Sequence, residues 1–89
     1  MCIYEFKKKI KSLGLKLSWK LDAQGEYFNI YNSSDIQVAT VYIDKMYSVS
    51  TQYPGFKYIN KVTQKKFLDV VFEFISTPVF SRIVIPESF

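Results

Sequence analysis

Histidine is absent from this chain, and cysteine occurs once, as Cys2. The first absence removes Ser-His-Asp and Cys-His nucleophile pairs and every histidine-based metal site. A lone thiol can form neither an internal disulfide nor a thiolate zinc site, which favours a reducing compartment. Three glycines leave no GxxxxGK[ST] or GxGxxG, so no glycine-rich phosphate loop is indicated. No apolar run reaches the length of a membrane span. The N-terminus, MCIYEFKKKI, puts charge after apolar residues, the reverse of a signal peptide. These signs predict a soluble, cytoplasmic protein without cofactor or metal.

What the chain does have is aromatic mass. Phenylalanine and tyrosine supply most of an 18% aromatic share, enough for 89 residues to build one small core without staples. Charge is uneven. Residues 1–20 hold six lysines against Glu5, whereas residues 21–89 hold six basic and seven acidic side chains. The basic end reads either as a solvated helix face or as a surface for an anionic partner.

The stretch that needs covering runs from Thr63 to Ser76. Phe67, Val71, Phe74 and Ile75 share one helical face, and Leu68 and Phe72 are expected to widen it. Asn60 or Thr63 can cap its start, and Thr77-Pro78 stops it. At the other end of the chain Ile3, Phe6, Ile10 and Leu13 recur at helical spacing, and Gly14 can close that helix.

Between the helices the period changes to two. Leu15, Leu17, Trp19 and Leu21 alternate with Lys16, Ser18 and Lys20, which puts the first set inside. After the turn Asp22–Gly25, Phe28 and Ile30 point inward, and Tyr27, Asn29 and Tyr31 outward. A third strand, Ile36 to Ile43, is apolar on both sides; Ala39, Val41 and Ile43 are assigned to the inside, Val38, Thr40 and Tyr42 to the outside. Met46 to Thr51 gives a fourth strand, with Tyr47 and Val49 inward. Turns this short require antiparallel neighbours. The expected fold is therefore α+β, in the order α-β-β-β-β-α. It is a two-layer sandwich of a four-stranded antiparallel meander with an N-terminal and a C-terminal helix on one face. Residues 1–78 form one domain. The apolar tail 79–89, with strand character at Ile83-Val84-Ile85, either folds back or pairs with another chain, for instance in a homodimer.

Three segments carry a resemblance: FKKKIKSLGLKLSW, YFNIYNSSDIQVATV and EFISTP. In these the chain resembles small uncharacterised proteins of phages and prophages of Gram-positive bacteria. That group usually continues past its Thr-Pro pair with an acidic-basic stretch, whereas here Val79-Phe80-Ser81-Arg82 follows. The resemblance implies a mobile-element origin, and hence the host-cell cytoplasm, but no mechanism.

Carboxylates remain as candidates for chemistry, but Asp22, Asp35 and Asp44 fall in turns, where aspartate bonds its own backbone. Asp69 and Glu73 read as a solvated stripe with Lys65 and Lys66 one turn back. Cys2 reads as an ordinary near-terminal thiol. The candidate binding residues are Lys7, Lys8 and Lys11 of the first helix and Lys16, Lys20, Tyr27, Tyr31 and Tyr42 of the outer sheet face. This set supports two functions: a non-enzymatic module that binds a protein partner, or a single-stranded nucleic-acid binder that stacks bases on rings and meets phosphates with ammonium groups.

Overall fold

The computed structural model describes residues 1–83. Helix α1 (Ile3–Ser12) leads into strands β1 (Lys16–Asp22), β2 (Gly25–Tyr31), β3 (Gln37–Tyr42) and β4 (Val49–Ser50). Helices α2 (Pro54–Lys57), α3 (Lys61–Ile75) and α4 (Val79–Arg82) follow. The sheet order is β1-β2-β3-β4 with antiparallel pairing throughout, so the fold is the expected α+β meander between an N-terminal and a C-terminal helix. Two short helices, α2 and α4, are additions that periodicity did not predict, because four residues are too few to show a period.

Local chemistry sets the helix ends. Gly14 takes φ +81°, a left-handed conformation open to glycine, and turns the chain from α1 into β1. The Asn60 side chain accepts a hydrogen bond from the Thr63 N–H at 2.8 Å, which starts α3 at Lys61. Phe67, Val71, Phe74 and Ile75 are buried as their spacing predicts, and Leu68 is half-buried. Phe72 is a correction: it is 55% exposed, since α1 and the sheet cover only one side of α3.

The two long helices lie on the sheet face that carries Phe28, Ile30, Val41 and Ile43. The Phe6 ring stacks on Phe28 at 5.8 Å and on Phe74 at 4.3 Å, tying α1, the sheet and α3 together. Cross-strand pairs Leu17–Ile30, Trp19–Phe28 and Phe28–Val41 follow the predicted parity. Burial does not always follow it. Trp19 and Leu21 sit on the inner face but are 52% and 76% exposed, because the helical layer ends short of the β1–β2 turn. Val38, expected outside, is fully buried. A register shift at Ile30/Tyr31 breaks the alternation there and lets Val38 and Ala39 both enter the core. Thr40, also expected outside, is buried under Tyr53, whose hydroxyl lies 2.9 Å from its Oγ1.

The fourth strand is shorter than expected, and Tyr47 does not point inward: it has φ +52° and is 70% exposed. Its N–H donates to the Ile75 carbonyl. The connection from Ile43 to Ser48 is held instead by Arg82, which is wholly inaccessible to solvent. Its guanidinium donates to the carbonyls of Ile43 (2.9 Å), Lys45 (2.8 Å), Ile75 (2.7 Å) and Thr77 (2.8 Å), and lies over the Phe74 ring at 4.9 Å. The planar fork of arginine suits this, because the last carbonyls of α3 and those of the loop diverge. Removal from water lowers the guanidinium pKa, and the charge of Asp44 opposes that shift. So Val79–Arg82 fold back onto the domain, while Val84 and Ile85 lie outside the described residues.

Arg82→Ala leaves those carbonyls without a donor and a cavity beside Phe74. Urea unfolding should show a loss of about 3–5 kcal/mol, with Arg82→Lys recovering only part of it. A loss below about 1 kcal/mol would mean that water satisfies the carbonyls as well as the guanidinium does.

Candidate functional site

The pairing register separates the eight candidate residues into two groups. Lys16, Lys20, Tyr27, Tyr31 and Tyr42 lie on the outer sheet face, opposite the helices. Lys7, Lys8 and Lys11 stand on α1, on the helical side. The two groups do not form one surface.

On the outer face the tyrosines are already engaged. The Tyr27 and Tyr42 rings meet at 5.4 Å, and Lys45 sits 4.3 Å over Tyr42. The Tyr27 hydroxyl donates to Asp22 at 2.6 Å, and Lys16 pairs with Asp35 at 2.8 Å. Tyr27, Tyr31 and Tyr42 are each half-buried. Acidic partners therefore offset much of the positive charge expected of this face.

The helical side is different. The flank of α1 turned away from α3 carries Ile3, Tyr4, Lys7 and Lys11; the flank toward α3 carries Lys9, whose ammonium is 3.9 Å from Glu73. That contact replaces the expected pairing of Glu73 with lysines on its own helix. Between the free flank and β1 runs a groove of about 500 Å³. Trp19, Ile3 and Ile83 give it apolar walls, and Lys7, Lys8 and Lys11 line it as well. The indole is held in place: its Nε1–H donates to Glu26 at 2.8 Å, and its ring packs on Phe28 at 5.8 Å. Lys7 lies 5.9 Å from the indole centroid and Lys8 5.4 Å from that of Tyr4, both within cation–π range. A slightly larger hollow, about 550 Å³, lies between the α1–β1 turn and the start of α3, but no charged side chain lines it.

Such a groove can take an apolar or aromatic side chain flanked by carboxylates. Cys2 is buried at the start of α1, where its N–H donates to Glu5 and depresses that carboxyl. Glu26 is occupied by the indole, and Asp22 and Asp44 accept from the backbone of Gln24 and Glu26. Among the described residues no group of three or more acidic or thiol side chains could hold a metal ion, and no helix is long and apolar enough to cross a membrane. No protein-family model matches the chain, and neither a curated protein nor a solved structure matches it.

Sequence reasoning found the groove's lysines but missed Trp19, Tyr4 and Ile3. Parity sent Trp19 inward and said nothing of where the helical layer stops. Tyr4 gave a signal in the sequence: it is an aromatic residue off the Phe6–Ile10 face, one turn before Lys8.

The Tyr27–Asp22 contact makes a pH prediction. The hydrogen bond lowers the Asp22 pKa and raises that of Tyr27. The stability contributed by Asp22 is present above its unfolded pKa and lost as pH falls through the folded value. That of Tyr27 is present below its unfolded pKa and lost as pH rises through the folded value. The bond should therefore stabilise from about pH 4 to about pH 10 and fade at both ends. In Asp22→Asn, NMR titration of the ring carbons should find the Tyr27 pKa moved down. An unchanged Tyr27 titration would mean the contact does not persist in solution.

Proposed function

We propose that this protein is a non-enzymatic binding module that acts in the bacterial cytoplasm by engaging a protein partner through the groove between α1 and β1. The observation that carries this reading is the half-exposed Trp19, fixed by Glu26 in a groove that lysines also line. A rigid aromatic anchor with adjacent charge is the common chemistry of protein-interface hot spots. The engaged tyrosines and acidic neighbours of the outer face favour this over single-stranded nucleic acid, which needs free ring faces beside unpaired cations. The resemblance to small phage and prophage proteins fits a module that occupies a host protein.

The test places a photo-crosslinking benzophenone residue at Tyr4, in the groove, or at Tyr31, on the outer face, in protein expressed in a Gram-positive cytoplasm. Tyr4 should crosslink to protein, and Tyr31 should give little. A gel-shift series with single-stranded RNA and DNA at low salt should show no complex. Crosslinks from Tyr31 to nucleic acid, or a shift that weakens steeply as salt rises, would contradict the proposal and support the nucleic-acid reading.

A further inference from the structure

Among the described residues β1 is an edge strand of seven residues, with β2 as its one neighbour in the sheet. Among the described residues no backbone hydrogen bond reaches it from the other side. In an antiparallel sheet such an edge presents alternate N–H and C=O groups to any extended chain that can reach them. The opposite edge, β4, is only two residues long and offers no comparable ladder.

We infer that β1 receives an extended, acidic segment of a partner protein as an added antiparallel or parallel strand, with one apolar side chain of that segment seated against Trp19. This rests on the protein-binding reading above and specifies the mode and chemistry of the partner. Free edges are normally protected against strand addition by lysine, and β1 carries Lys16 and Lys20. Here the lysines do more than repel apolar strands, because they lie on both sides of the edge. Lys20 projects on the outer side, and Lys7, Lys8 and Lys11 line the groove on the helical side. No carboxylate of the described residues forms an ion pair with any of these four side chains.

A strand added at β1 alternates its side chains between the two sides. Those on the helical side meet Trp19 and the exposed Leu21 beside the groove's lysines, and those on the outer side meet Lys20. Alternating carboxylates with a central apolar residue matches both. A second copy of this chain does not: a twofold axis at β1 would bring its Lys7, Lys8 and Lys11 against these same lysines.

The probe is a synthetic peptide of about ten residues alternating glutamate with valine around a central phenylalanine, a length that spans the edge. Trp19 is the only tryptophan in the chain, so its emission reports occupancy directly. The intact protein should bind the peptide saturably. The same peptide N-methylated at alternate amides, which keeps charge and side chains but removes one row of donors, should lose binding. Lys20→Glu, at an exposed position, should weaken it about fivefold. Equal affinity for the N-methylated peptide would overturn strand addition, and so would amide shifts confined to Tyr27, Tyr31 and Tyr42. A sedimentation mass of two chains with β1 amides protected would also overturn it, in favour of self-pairing. Protein crosslinks at Tyr4 without peptide binding would defeat this inference and leave the protein-binding function standing.

Discussion

The Phe6 ring is the contact on which the rest of the structure depends. It lies fully buried between Phe28 of the sheet and Phe74 of α3, so α1 cannot move without opening both interfaces. Burying one phenylalanine contributes roughly 2–3 kcal/mol, a large share for a chain this short. Its placement also decides the surface. Phe6 and Ile10 anchor α1 beside α3, so the opposite flank of α1 is left beside β1 with Ile3, Tyr4, Lys7 and Lys11 on it. The groove follows from how the core packs rather than from a separate motif.

A second constraint acts at the other end of the sheet. Arg82 gathers the last carbonyls of α3 and those of the β3–β4 connection, so the long loop and the end of the helix behave as one unit. A guanidinium is costly to bury, and among the described residues no carboxylate forms an ion pair with it. Carbonyl dipoles and the Phe74 ring take the place of a counter-ion. Val79–Arg82 is thus part of the fold, and Ile83 comes to line the groove.

Much of this was legible in the sequence where periodicity had several residues to work with. Phe67–Ile75 announced α3, the alternation from Leu15 to Leu21 announced β1, and Gly14 marked the joint between α1 and β1. The misreadings share a physical cause: each depends on where one layer ends over another. Trp19 and Leu21 have the right parity, but α1 leaves a groove over Trp19 rather than covering it, and Leu21 stays exposed. Val38 escaped because a register shift cannot be seen in a strand that is apolar on both sides. Tyr47 escaped because a side chain far along the chain, Arg82, holds the carbonyls of its loop. The site divided the same way: its lysines were visible as a charge run, whereas the aromatic floor between them required knowing that α1 lies along β1.

Binding at the groove by strand addition requires that the outer edge of β1 stand open. Hydrogen exchange followed by NMR on the unliganded full chain measures this directly. With the edge open, exchange should be slow throughout β2 and β3, and amides along Lys16–Asp22 should alternate between fast and slow, the fast ones facing away from β2. Uniform protection along β1 would mean that its edge is already covered, and the binding surface described here would not exist.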